Sequence, residues 1–137
     1  MSIKVSVIDK KTEKYKKIIL KKARLVASFL ALDGYLEIFL VGDRQMKKNV
    51  LSYVGKEARG EFIRPDIKEK NLGEIYLNPF YIKKNKESLL FMLCHGLLHI
   101  AGYDHKRKND RIRMEKLEKR IFFKFGGSSR SRFLEYP

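Results

Sequence analysis

The sequence predicts an α+β fold: a small mixed sheet of about four strands with helices packed on it. Two observations carry this. Short β-branched runs and amphipathic helical runs follow one another in the order strand, helix, three strands, two helices. The 137 residues are 44% hydrophobic, which supplies one real core and leaves little room for a second.

The elements follow in order. Residues 3–8 carry Ile3, Val5, Val7 and Ile8, a β-branched content that favours a strand. Residues 12–33 read as a helix, with Ile19, Ala23, Val26 and Leu30 on one face and Lys17, Lys21, Arg24 and Ser28 on the other. Asp33-Gly34 is the expected stop. Residues 35–41 form an apolar strand closed by Gly42-Asp43, and residues 50–54 a short one followed by Gly55. The polar stretch 56–71, with Gly60 and Pro65, reads as a loop. Residues 74–77 give the last strand, closed by Asn78-Pro79. Residues 86–101 form a strongly apolar helix stopped by Gly102. Residues 109–124 form an amphipathic helix with Met114, Leu117 and Ile121 on one side. Residues 1–125 are thus expected as a single domain, and residues 126–137, which open on Gly126-Gly127-Ser128-Ser129, as a basic mobile tail.

Charge narrows the function class. Lys plus Arg number 31 against 16 Asp plus Glu, a formal net charge of +15. Such an excess attracts polyanions, nucleic acid first and an anionic membrane surface second. The basic residues concentrate in two segments. One is the first helix; the other runs from Lys106, Arg107 and Lys108 through Arg111, Arg113, Lys116, Lys119, Arg120 and Lys124 to Arg130 and Arg132. Lys106, Arg107 and Lys108 are candidate RNA-binding residues. Tyr103, Phe122, Phe123, Phe125 and Phe133 are possible base-stacking platforms, with core or terminal packing the simpler role for each. No apolar run reaches the ~18 residues of a transmembrane helix, and the start, MSIKVSVIDKK, lacks the apolar core of a signal peptide. The single cysteine, Cys94, excludes an intrachain disulfide and fits a reducing cytoplasm. No Gly-rich phosphate loop is present, so no nucleotide cofactor is expected.

The chemistry concentrates in eleven residues, His95-Gly96-Leu97-Leu98-His99-Ile100-Ala101-Gly102-Tyr103-Asp104-His105, which hold all three histidines. His95 and His99 are one helical turn apart on one face. Gly102 can take the left-handed conformation that breaks the helix and returns His105 to the same point. Three imidazoles converging from a helix and the turn after it match a zinc site with one open position, the arrangement of catalytic rather than structural zinc. A buried, hydrogen-bonded pair is the simpler reading of His95 and His99 alone; the third histidine and the glycine break favour the metal. Cys94 is rotated away and reads as a small core residue. The spacing is that of the zinc proteases of the H-E-x-x-H-x-x-G-x-x-H type, except that Gly96 stands where their catalytic glutamate would be. Peptide hydrolysis by the usual mechanism is therefore not expected. Asp104 is the nearest carboxylate, available to orient a histidine or act as a base, or else to shape the turn.

The same run closely resembles the H-G-x-L-H-L-x-G-Y-D-H signature of the YbeY endoribonucleases. Asn49-Val50-Leu51-Ser52-Tyr53 is similar to that family's T-[DN]-V-L-S-F-P strand, and Leu72-Gly73-Glu74-Ile75 to its L-G-D-I strand. The resemblance covers nearly the whole chain. It implies an α+β protein with one zinc ion held by His95, His99 and His105. It also implies a cytoplasmic, single-strand-preferring endoribonuclease acting in ribosomal RNA maturation and ribosome quality control. The partners so implied are the small ribosomal subunit and the 3′ end of its RNA.

The departures fall on the substrate side. The family carries an arginine before the V-L-S strand that contacts substrate phosphate. Arg44 is the nearest match, on a shorter spacer, and is taken as catalytic together with Asp104. Lys47 and Lys48 are candidate RNA contacts that can supply charge there without the bidentate fork. Lys48 replaces the family threonine, Tyr53 the phenylalanine, Val54 the proline and Glu74 the aspartate. Two competing readings stay open: a non-catalytic, zinc-stabilised ribosome-binding factor, and a metal-dependent hydrolase of another substrate.

Overall fold

Alternation of buried and half-buried positions along Tyr35–Leu40 shows a strand with one face in a core and one turned outward. A computed structural model places that strand, β2, inside a four-stranded sheet and describes residues 1–55 and 70–125. The other strands are β1 (Ser2–Val7), β3 (Val50–Val54) and β4 (Asn71–Leu77). The order is β1-β2-β4-β3, with β1 parallel to β2, β2 parallel to β4, and β3 antiparallel to β4. The sheet is therefore mixed, as expected.

The helices are α1 (Lys16–Phe29), α2 (Pro79–Lys84), α3 (Leu89–Ile100) and α4 (Lys108–Phe125). α1 lies over β1, α3 over β3 and β4, and the two helices touch each other. α4 packs on both from outside. The core between sheet and helices includes Ile19, Ala23, Leu36, Ile38, Ile75, Leu77, Leu93, Leu97 and Leu98. α3 is apolar nearly all round because sheet, α1 and α4 surround it. α1 buries Ile19, Ala23 and Val26 and exposes Lys17, Lys21, Arg24 and Ser28, the two faces its sequence predicts.

Several boundaries differ from expectation. The first helix opens as a 3-10 turn, Lys10–Tyr15, capped by the Asp9 side chain on the Lys11 N–H, and ends at Phe29. Ala31, in the left-handed region at φ 54°, turns the chain before Gly34 is reached. β4 starts at Asn71 rather than 74. The short helix α2 has no counterpart in the sequence reading: Asn78-Pro79 both closes β4 and starts a helix, with Asn78 as cap and proline in its first turn. Lys86 at φ 56° and the Ser88 cap then delay α3 to Leu89. Residues 56–69 of the loop read for residues 56–71, and the tail read for residues 126–137, lie outside the described residues.

Candidate metal centre

Two local features of α3 set the site. Ser88 caps its start by accepting the Phe91 N–H at 3.2 Å. Its end is a Schellman motif, with Tyr103 N–H on the Leu98 carbonyl and Gly102 N–H on the His99 carbonyl, both 3.0 Å. Gly102 holds the left-handed conformation the sequence predicts, at φ 99°. The Asp104 carboxylate then accepts the Lys106 N–H at 3.2 Å, and α4 begins two residues later.

This turn brings His105 back to α3. One ligand atom from each of His95, His99 and His105 lies within 4.8 Å of the other two. The Nε2 atoms of His95 and His99 are 3.1 Å apart. Two zinc–nitrogen bonds of ~2.0–2.1 Å at a tetrahedral angle place their nitrogens about 3.3 Å apart. The donor set therefore fits a zinc-sized cation.

The hydrogen bonds at the far side of the rings sharpen the fit. His99 Nδ1 lies 2.9 Å from the Tyr103 carbonyl, which can only accept, so Nδ1 carries the proton and Nε2 the lone pair. His95 Nδ1 lies 3.2 Å from the Glu118 carboxylate, with the same consequence. Two lone pairs facing each other at 3.1 Å repel unless a cation lies between them. Burial, reinforced by the neighbouring His95, pushes the His99 pKa below its ordinary value, which keeps that imidazole neutral and able to bind metal. Cys94 is buried, and desolvation pushes its thiol up to about 12, with the Glu118 charge adding to the rise. It is a core residue and not a ligand, as expected.

A cleft of about 470 Å³ opens in front of the histidines, between residues 48–52 on one wall and Phe91 and Met92 on the other. Lys48 is exposed at this cleft. Ser52 Oγ donates to the Gly96 carbonyl at 3.2 Å, tying β3 to α3 across the cleft floor. The Asn49 side chain donates to Glu87 at 3.2 Å and accepts the Val50 N–H at 2.7 Å, which fixes the start of this wall.

The remaining predicted residues lie elsewhere. Arg44 is exposed and lines a separate depression with Asp9, Lys11, Asp43 and Phe80, so the structure does not bring it to the histidine cleft. Lys47 is exposed but does not line the cleft. Asp104 has the turn-shaping hydrogen bond described above. Lys106, Arg107 and Lys108 are exposed in the turn and at the start of α4, outside the cleft lining. Glu118 is not among the candidate residues read from the sequence. The signal was present: Met114, Leu117, Glu118 and Ile121 follow helical spacing, which puts a carboxylate on the apolar face.

A family model described as endoribonuclease YbeY matches residues 2–126. The chain belongs to the YbeY family. Relatives named endoribonuclease YbeY include one from Thermotoga maritima, 29% identical over 100 residues, covering 65% of this chain and 67% of that protein. Another from Wolbachia sp. subsp. Drosophila simulans is 33% identical over 107 residues, covering 71% of this chain and 66% of its own length. A third, from Buchnera aphidicola, is 33% identical over 122 residues, covering 77% and 71%. These alignments span about two thirds of the relatives' length. The solution structure of TM1509 from Thermotoga maritima matches with a TM-score of 0.55 at 20% identity, covering 90% of this chain and 91% of that one. That likeness establishes the fold. Membership in the YbeY family agrees with the three motifs that carried the resemblance, and all three face one another here: the histidine run on α3, the V-L-S run on β3 and Leu72-Gly73-Glu74-Ile75 on β4. Gly73 is required in the last of these. It sits at φ 137°, where an added Cβ would lie 2.0 Å from the Tyr53 carbonyl oxygen.

Proposed function

We propose that the protein is a zinc-dependent endoribonuclease that cuts single-stranded ribosomal RNA near the 3′ end of the small-subunit RNA, in the cytoplasm, during maturation and quality control of the ribosome. One observation carries the reading: three converging imidazoles line an open cleft in a YbeY-family chain of net charge +15. Among the described residues no helix is long and apolar enough to cross a membrane.

His95, His99 and His105 would hold the metal, which supplies Lewis acidity toward a phosphate oxygen and toward the attacking oxygen. Lys48 stands on the cleft wall where a phosphate crossing the histidines would pass, and takes the charge-neutralising role that the sequence assigns to Arg44. Arg44, Lys47, Lys106, Arg107 and Lys108 hold flanking stretches of the RNA backbone outside the cleft. Ser52 keeps the cleft wall on α3, and Asp104 keeps the turn that returns His105.

The test compares wild type with His99→Ala, purified in parallel, on a fragment of small-subunit ribosomal RNA. Cleavage by wild type that disappears in the folded variant supports the reading. Equal cleavage by both would identify a contaminating nuclease. Folded, zinc-loaded wild type that cleaves neither the fragment nor assembled small subunits would favour a ribosome-binding factor instead.

A further inference from the structure

Glu118 is 8% exposed, on the face of α4 that packs over α3. It lines a cavity that Arg111, Glu115 and His105 also line, but among the described residues its one hydrogen-bond and ion-pair partner is Nδ1 of His95, at 3.2 Å. The lysines and arginines of α4 closest in sequence, Lys116, Lys119 and Arg120, all face solvent. A carboxylate withdrawn from water is costly, and an apolar side chain of similar length would serve packing better at this position. Burial of Glu118 against a single imidazole nitrogen therefore calls for a role beyond the fold.

The three histidines are anchored unequally. His95 faces a carboxylate, His99 a backbone carbonyl at 2.9 Å, and His105, which is exposed, has no hydrogen-bond partner among the described residues. We propose that Glu118 is a positioning residue for the metal centre. It accepts the Nδ1 proton of His95 and holds that ring in the tautomer whose Nε2 lone pair faces His99 and His105. The proposal rests on the reading of these histidines as metal ligands. The Glu118 carboxylate fixes the His95 ring through its Nδ1 hydrogen bond, as the Tyr103 carbonyl does for His99.

Two variants and two readouts test this. Glu118→Met keeps the volume and removes the acceptor; Glu118→Gln keeps a neutral acceptor. In the metal-free proteins, side-chain ¹⁵N–¹H correlation spectra report which nitrogen of His95 carries the proton. Zinc affinity is measured by competition with a chromophoric chelator. The wild type is expected to show the proton on Nδ1. Glu118→Met is expected to shift it toward Nε2 and to bind zinc ~10–100-fold more weakly, with Glu118→Gln between the two. The metal-free Glu118→Met protein is expected to withstand urea at least as well as wild type, which separates positioning from a structural role. Wild-type zinc affinity in folded Glu118→Met, or in Glu118→Gln should Met fail to fold, overturns the proposal and leaves the metal reading intact. A wild type that takes up no zinc overturns the metal reading, and this proposal with it, even if the tautomer shift is seen.

Discussion

A Cβ added at Gly96 would lie 3.1 Å from Ile75 Cγ2, 3.1 Å from Ser52 Oγ and 3.3 Å from Val50 Cγ2. Helix α3 thus lies tight against the sheet at the position where zinc proteases carry their catalytic glutamate. A glutamate there would point into β3 and β4, so protease chemistry is closed off by packing as well as by the missing carboxylate. Gly96→Glu combines overpacking with burial of a charge and is expected to cost more than about 3 kcal/mol in urea unfolding, with no peptide cleavage gained. A variant as stable as wild type would contradict this packing account. His99 gives the second prediction at this scale. Desolvation, then the neighbouring His95, lowers its pKa from the ordinary 6.5. The unfolded chain then binds the proton more readily than the folded one. The stability linked to His99 is full above the unfolded value and is lost as pH falls through the folded value. Urea midpoints of the metal-free protein should therefore drop on acidification from about pH 7.5 to 5, and His99→Gln should flatten part of that drop. Zinc should be released over the same direction of pH, because a protonated Nε2 cannot bind it.

Asn78 shows how one residue organises several elements. It is fully buried, accepts the Tyr81 N–H at 3.1 Å as the cap of α2, and donates to Asp43 Oδ1 at 2.8 Å and the Met46 carbonyl at 2.7 Å. Its own N–H reaches the Asn49 carbonyl at 3.0 Å. The end of β4, the start of α2 and the connection that carries Arg44, Lys47 and Lys48 all meet there. Asn78→Ala removes a helix cap, worth ~1 kcal/mol, and strands the Met46 carbonyl, worth another ~1–3. The expected total is about 2–4 kcal/mol, with faster amide exchange between residues 42 and 49, read by denaturant unfolding and hydrogen exchange. Faster exchange confined to α2 would limit Asn78 to a capping role. The same residue explains a gap between sequence and structure. Asn-Pro after a strand reads as a stop, yet the same pair, a side-chain cap followed by proline, also starts a helix six residues long. By contrast β3 is legible at its bounds, because Val50–Val54 is apolar and closed by Gly55. The end of α1 is not. Ala31 adopts a conformation its residue type disfavours, a choice set by packing rather than by propensity.

At the scale of the whole molecule, the histidine cluster was readable because its members are local: a helix turn and a glycine break bring all three together. Strand order, the cleft and Glu118 depend on which distant segments meet, and one sequence does not carry that. The charge distribution shows the same division. The excess of basic residues is plain in the sequence, but only the fold joins its two segments. Lys22 Nζ reaches the Phe125 carbonyl at 2.9 Å, and Arg120 and Lys124 lie over the Phe29 ring at 5.8 and 5.5 Å. The basic faces of α1 and α4 are thereby neighbours, apart from Lys48 at the cleft. An RNA strand held by both surfaces releases one set of counterions for each phosphate neutralised, with a log–log salt slope of about −0.7 per phosphate for single strands. Lys48→Met is expected to make the slope of RNA binding shallower by about 0.7 and to depress cleavage. Lys119→Met should change the slope by the same ~0.7 while leaving the cleavage rate at saturating RNA near wild type. Fluorescence anisotropy across a salt series, paired with single-turnover cleavage, separates the two. An unchanged slope in Lys119→Met would confine the RNA to the cleft, and an unchanged slope in Lys48→Met would move its path away from the histidines altogether.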